Sequence, residues 1–229
     1  MLLLAGFGDN ASMFEALPDT ELAERFEVMP LDLPGFGRAA AGETSLSSLA
    51  GFVAERAVET GAEIVVAHSV ASIVASLAAR RPGCPLKTIL SLEGNLTADD
   101  AYFSGTAADY DSPAAFRAAF LARLDRMAAT SPEIARYRRE VAQADPRALW
   151  ELGRDARRFS ERHHPGEILR DAAAAVYLYN PDNCPETTLA WLRDHDLPRL
   201  LLDNATHWKS VSQPHELARK IGQALESLR

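Results

Sequence analysis

Ser69 is the residue of this sequence best placed to act as a nucleophile. Residues 64–75, IVVAHSVASIVA, pass directly from an apolar run into a helical pattern, with Ser69 at the junction. A sharp strand-to-helix turn strains the serine backbone, exposes its hydroxyl, and requires small residues two positions before and after it. Ala67 and Ala71 meet that requirement. The pattern fits a nucleophilic serine, and it also fits a serine in an ordinary strand–helix loop.

Six short apolar runs alternate with longer helical stretches. They are expected to form the strands of the sheet that positions this serine. Continuous apolar runs separated by helices favour a parallel sheet that is covered on both faces. We predict strands at residues 2–5, 26–31, 63–67, 88–92, 174–178 and 199–202.

The long stretch between the fourth and fifth runs has no strand signal. We predict helices there at residues 112–127, 131–143, 146–159 and 167–173, and a closing helix at 213–228. Because this stretch is too long for a simple crossover, we interpret it as a helical cap standing on the strand ends. The chain is accordingly divided into a core, residues 1–95 and 174–229, and a cap insertion, residues 96–173.

Composition narrows the class of protein and its partners. The 229 residues are 47% hydrophobic and 24% charged, which suits one globular core. The net charge of −8 and the lack of a long basic block argue against nucleic acid. The start MLLLAG fits neither a signal peptide nor a membrane span, so we expect a cytoplasmic protein that does not bind membranes. We expect this protein to be a monomer or a homodimer. Cys84 and Cys184 lack metal-ligand spacing and are expected to form no disulfide.

Segments in three parts of the chain resemble the α/β-hydrolase superfamily, in their correct order. They are LLLAGFGD at residues 2–9 with MPLDLPGFG at 29–37, the serine turn, and DNATHW at 203–208. The resemblance is to the cap-bearing branch, which includes esterases, carbon–carbon bond hydrolases, epoxide hydrolases and haloalkane dehalogenases. It implies an α/β-hydrolase fold with a mostly parallel sheet of about six strands, flanking helices and a helical cap inserted after the fourth strand.

The same resemblance implies roles for individual residues. Ser69 would be the nucleophile, His207 its base, and the backbone N–H groups of Phe7 and Val70 the oxyanion hole. Serine rather than aspartate at the turn implies acyl chemistry through an acyl-enzyme, which water activated by His207 would hydrolyse. No metal or organic cofactor is required by this mechanism.

The acid of the triad stays open at this point. Glu93 follows the fourth predicted strand and precedes Gly94, where a buried carboxylate would be costly unless it were paired. Asp182 follows the fifth predicted strand, where the family usually carries its acid, although Asn183 occupies the usual position. The remaining alternatives are Asp203 and a site without an acid.

Other side chains have less specific interpretations. Phe103, Phe120 and Trp150 of the insertion are predicted to bind substrate, although packing in a core would explain them equally well. The arginines of the insertion, Arg136 among them, are predicted to form solvated helix faces. His68, beside the serine, is expected to pack or to bond to backbone.

The leading functional hypothesis is a serine hydrolase of the esterase or thioesterase type, with a small, fairly apolar acyl substrate. Ala5 stands where the family carries a histidine, and Ala67 and Ala71 replace two glycines of the usual motif. These departures motivate a second hypothesis, a non-catalytic protein that binds a small ligand on the same fold. A third hypothesis is an acyltransferase or lyase that uses the same pocket.

Overall fold

A single parallel sheet forms the centre of the molecule. The computed structural model of the chain describes residues 1–228. Its strands are β1 (Leu2–Leu4), β2 (Met29–Leu31), β3 (Ile64–His68), β4 (Thr88–Leu92), β5 (Ala174–Tyr179) and β6 (Arg199–Leu201). They lie in the order β2-β1-β3-β4-β5-β6, and every neighbouring pair is parallel. The prediction of six parallel strands is confirmed.

The central strands are buried on both faces. Ile89 and Leu90 are adjacent on β4, so their side chains point to opposite faces of the sheet, and both are fully buried. Strands β3 and β4 pair from Ile64↔Thr88 to His68↔Leu92. The next residue of each chain segment therefore leaves the sheet at the same edge, which places Ser69 and Glu93 side by side in the topology.

Strand β2 is shorter than predicted. The prediction began at Phe26, whereas the strand begins at Met29. Its partner β1 offers only Leu2–Leu4 for pairing, so the preceding residues have no strand to pair with. The amino terminus of Met1 donates to the carbonyl oxygen of Glu27 at 2.8 Å instead.

Helices cover the sheet and fill the insertion. They are α1 (Leu46–Thr60), α2 (Ala71–Ala79), α3 (Pro113–Ala128), α4 (Pro132–Gln143), α5 (Pro146–Arg162), α6 (Pro165–Ala172), α7 (Glu186–Asp194), α8 (Lys209–Ser212) and α9 (Pro214–Glu226). Helices α3 and α4 begin directly after Ser112 and Ser131, close to the predicted starts, because these serine side chains accept hydrogen bonds from the first turn. No helix within residues 1–228 has the length and apolar character needed to cross a membrane.

The insertion between β4 and β5 contains two short 3₁₀ segments, Ala98–Ala101 and Ser104–Asp109, followed by α3 to α6. Helix α3 packs against α4 and α5, and α5 packs against Ser104–Asp109. Helix α6 packs instead against α2, in the layer that covers the sheet. The predicted cap, residues 96–173, therefore spans three helices that pack on one another and one that packs on the core.

Candidate active site

Ser69 occupies the turn between β3 and α2. Its φ angle is +54°, in the left-handed region that non-glycine residues rarely adopt. The backbone N–H of Ser69 donates to Leu92 O at 3.0 Å, and Ser72 N–H donates to Ser69 O at 2.9 Å. Ala67 and Ala71 are completely buried on either side. The surrounding structure thus holds the serine in the strained conformation that a nucleophile at such a turn requires.

The loop after β1 lies directly against this serine. A β-carbon built on Gly6 would lie 2.9 Å from Ser69 Cβ and 2.8 Å from His68 Nδ1, closer than side chains tolerate. Glycine at position 6 is therefore required by the close approach of the two loops. The next residue, Phe7, reaches the serine because of this approach.

Two backbone donors next to Ser69 are available for a ligand. Within residues 1–228, neither the Phe7 N–H nor the Val70 N–H has an intramolecular acceptor. Unused N–H groups beside a serine hydroxyl can stabilise the negative charge of a tetrahedral intermediate. The described part of the chain thus leaves free the two donors that the family resemblance assigned to an oxyanion hole.

His207 is hydrogen-bonded to Glu93. The distance from His207 Nδ1 to Glu93 Oε2 is 2.6 Å, and the Glu93 side chain is 4% exposed. The other carboxylate oxygen, Oε1, accepts from the Asn180 N–H at 3.0 Å and from Asn183 Nδ2 at 2.9 Å. These hydrogen bonds offset the desolvation of a buried carboxylate. With Nδ1 bound to Glu93, Nε2 of His207 is the ring nitrogen left to receive a proton.

The structure does not bring the other candidate acids to His207. Asp182 is exposed, and its backbone N–H is bonded to Asn180 Oδ1. Asp203 is also exposed, with a carboxylate oxygen 3.7 Å from Lys220 Nζ. The position usually held by the acid carries Asn183, whose amide supports Glu93.

His68 supports the loop that carries His207. Its Nε2 lies 2.9 Å from the His207 carbonyl oxygen, and because a carbonyl only accepts, Nε2 carries the proton. Burial holds the pKa of His68 well below its usual value, and the nearby His207 lowers that pKa further. A neutral His68 therefore anchors the backbone of His207.

A small cavity joins these groups. Ser69 and His207 line it together with Phe7, Tyr102 and Phe103, and its volume is about 20 Å³. That is room for about one water molecule. The aromatic side chains give its wall apolar surface, and two carboxylates, Asp9 and Asp100, also line it.

Of the three aromatic residues predicted to bind substrate, the structure brings only Phe103 to this cavity. Phe120 is buried against Phe7, with ring centroids 5.7 Å apart. Trp150 donates from Nε1 to Tyr110 O at 3.0 Å and borders a separate open groove. Apolar spacing on a helix does not distinguish a side chain packed in a core from one that faces a cavity.

Sequence reasoning missed cavity residues on the insertion and on the loop after β1. Tyr102 was not singled out from the other aromatic residues, and neither Tyr137 of α4 nor Asp9 was predicted to lie at the site. Helix α4 is rich in charge, so its sequence indicates a solvated helix and hides the inward-facing tyrosine. For Asp9, the sequence offers one signal of a place at the site, which is its position shortly after the glycine turn that follows β1.

Comparison with known proteins gives the family. A sequence profile described as "Alpha/beta hydrolase family" matches residues 1–220. The chain belongs to the alpha/beta hydrolase family. A comparison with curated proteins returned no match.

Solved structures share the fold of this alpha/beta hydrolase at low sequence identity. An esterase from Thermogutta terrifontis is 20% identical, with a TM-score of 0.75, and the alignment covers 99% of this chain and 89% of the esterase. The enol-lactonase from Burkholderia xenovorans is 15% identical, with a TM-score of 0.72 and coverage of 98% and 90%. MenH from S. aureus is 14% identical, with a TM-score of 0.73 and coverage of 99% and 93%. The predicted α/β-hydrolase fold is confirmed.

The contact of Asn183 with Glu93 in this alpha/beta hydrolase gives a testable prediction. Asn183→Asp places a second carboxylate at hydrogen-bond distance from Glu93 Oε1, where two like charges repel. We expect hydrolase activity to fall about tenfold or more, because a tenfold loss needs only about 1.4 kcal/mol of the about 4 kcal/mol by which two like charges 4 Å apart repel near a protein surface. Steady-state kinetics measure the effect. Asn183→Leu removes the donor without adding charge and should lower kcat less. An Asn183→Asp variant that is as active as wild type, and that still loses this activity when Glu93→Gln is added, would contradict the assigned contact.

Proposed function

We propose that this chain is a serine hydrolase of the esterase or thioesterase type. The observation that carries the proposal is the 2.6 Å hydrogen bond between His207 Nδ1 and Glu93 Oε2, in a site where His207 shares a cavity with the strained Ser69. A buried carboxylate that fixes the tautomer of a histidine beside such a serine is the arrangement of a catalytic triad.

The proposed reaction proceeds in two steps. Ser69 Oγ attacks the acyl carbon while His207 Nε2 accepts the hydroxyl proton, and Glu93 stabilises the imidazolium that forms. The N–H groups of Phe7 and Val70 bind the oxyanion. When the carbon–oxygen or carbon–sulfur bond breaks, His207 returns the proton to the leaving alcohol or thiol. Water then attacks the acyl-enzyme, gives its proton to His207, and releases the carboxylic acid as Ser69 regains its proton.

The substrate class follows from the walls of the cavity. The aromatic rings of Phe7, Tyr102 and Phe103 favour a small, fairly apolar acyl group. Two of the structures with this fold are titled as an esterase and an enol-lactonase, and both names refer to proteins that act on acyl–oxygen bonds. This likeness supports an ester substrate in preference to the lyase alternative.

Labelling by a fluorophosphonate tests the proposal. This reagent phosphonylates a serine that is activated by a base, so wild type should be labelled and Ser69→Ala should not. Ser47→Ala is a matched control, because Ser47 is an exposed serine on α1 and its loss should leave labelling unchanged. An unlabelled wild type that also fails to hydrolyse small activated esters would favour the non-catalytic ligand-binding alternative.

A further inference from the structure

We infer that Arg136, on α4 of the insertion, is a positioning residue that holds the oxyanion-hole loop in its active orientation. The inference rests on the proposed function. It assigns to the insertion a part in the acylation step, beyond the shaping of a substrate pocket.

The peptide that carries the Phe7 N–H lies in a turn whose geometry is fixed by a backbone hydrogen bond. The Asp9 N–H donates to Gly6 O at 3.2 Å, and Gly8 between them has a φ angle of +71°. These features describe a tight turn with glycine at the position that requires positive φ. Gly6 O and the Phe7 N–H belong to the same planar peptide, so the bond from Asp9 fixes the direction of the Phe7 N–H.

The side chain of Asp9 is held by Arg136 of α4. Nη1 of Arg136 lies 2.9 and 2.8 Å from the two carboxylate oxygens of Asp9, and Nη2 donates to Ser12 Oγ at 2.8 Å. The Asp9 side chain is 1% exposed and that of Arg136 is 13% exposed. The prediction that Arg136 forms a solvated helix face is therefore wrong. A buried charge pair of this kind has a defined geometry, and removing either partner leaves a charge uncompensated.

Two neighbours of Arg136 on α4 also contact the loop after β1. Tyr137 donates from its hydroxyl to Phe7 O at 2.6 Å, and Glu140 accepts a hydrogen bond from the Asn10 side chain. One face of α4 thus contacts the loop at residues 7, 9 and 10. Arg138, by contrast, is directed outward and pairs with Asp125 at 2.7 Å near solvent.

A loosened turn would affect catalysis in a specific way. An oxyanion exists only in the transition state and the tetrahedral intermediate, so a misdirected Phe7 N–H lowers kcat with little change in KM. Complete loss of one oxyanion donor lowers kcat about 10²- to 10³-fold in other enzymes. For partial misorientation we expect a fall of about 10- to 100-fold.

The experiment compares Arg136→Met with Arg138→Met in steady-state hydrolysis of a short p-nitrophenyl ester. We expect kcat to fall about 10- to 100-fold for Arg136→Met, with KM within about threefold of wild type, and both constants to stay near wild type for Arg138→Met. Arg136→Lys, which keeps the charge but loses the fork of donors, should recover part of kcat. Asp9→Asn combined with Arg136→Met should be no slower than the slower single variant, because the two residues act as one pair.

Two outcomes would overturn the inference: a kcat of Arg136→Met equal to wild type, or a rise in KM with kcat unchanged. Thermal unfolding of each variant checks that kcat is measured on folded protein. If Arg136→Met does not fold, Tyr137→Phe removes only the hydroxyl bonded to Phe7 O and must show the same selective loss of kcat. Failure of the proposed function is distinguishable, because wild type would then neither hydrolyse the ester nor be labelled at Ser69.

Discussion

Replacing Ser69 by alanine is expected to abolish ester hydrolysis, with kcat about 10⁴-fold or more below that of wild type, and His207→Ala is expected to do the same. In the proposed mechanism, Ser69 supplies the oxygen that forms the acyl-enzyme, and His207 is the base that removes its proton. Because the two residues act as a unit, the double variant should be about as slow as either single variant. Steady-state hydrolysis of a small activated ester measures all three.

The fold should survive both substitutions. Alanine keeps the β-carbon that serine has at this positive φ angle and leaves the buried alanines on either side untouched. The His207 side chain is 15% exposed and lies on a loop outside the sheet and helices. Circular dichroism and thermal unfolding should therefore resemble wild type. Substantial esterase activity in either folded variant would rule out the Ser69–His207 mechanism.

Glu93→Gln is expected to lower kcat about 10⁴-fold while substrate binding changes little. Gln has nearly the same shape, and its amide oxygen can still accept from the Asn180 N–H and from Asn183. Its NH₂ group, however, faces His207 Nδ1 and requires that nitrogen to accept rather than donate. The imidazole is then held in the wrong tautomer, with its proton on the nitrogen that must receive one from Ser69.

Asp182→Asn is the matched control for this substitution. It makes the same carboxylate-to-amide change at an exposed residue that the structure places on a turn away from His207. We expect kcat and KM close to wild type. A large loss in Asp182→Asn with a mild effect in Glu93→Gln would transfer the role of the acid to Asp182, and two mild effects would show that neither carboxylate serves the base.

The sheet was predictable from sequence because its strands are buried on both faces. Such strands must be apolar at consecutive positions, and the runs around Val65 and Leu90 show this directly. The turn at Ser69 was predictable for a related reason. Small residues at positions 67 and 71 are demanded by the close contact of strand and helix, so they are visible in the sequence itself.

The sequence does not show which carboxylate contacts His207 or which side chains form the pocket wall. Both depend on which loops come into contact in the folded chain. Glu93 and Asp182 both follow strands that end at the same edge of the sheet, and nothing in their spacing shows which one reaches His207. The structure pairs His207 with Glu93, and Asn183 donates to the same carboxylate across 90 positions of the chain. Likewise, the charge pattern of α4 gives no sign that Arg136 turns inward while Arg138 faces solvent.

The size of the cavity beside Ser69 has a thermodynamic consequence for ligand affinity. Enclosing a whole ester in a space of about 20 Å³ requires its walls to move, and Tyr102, which is 39% exposed, is the most exposed of the wall residues. The free energy needed to open the cavity then reduces the free energy gained from the ligand contacts. The measured Kd equals the intrinsic Kd divided by the fraction of molecules whose cavity is open. A substitution that widens the entrance would tighten the binding of a whole ligand series by one common factor, without a single new contact.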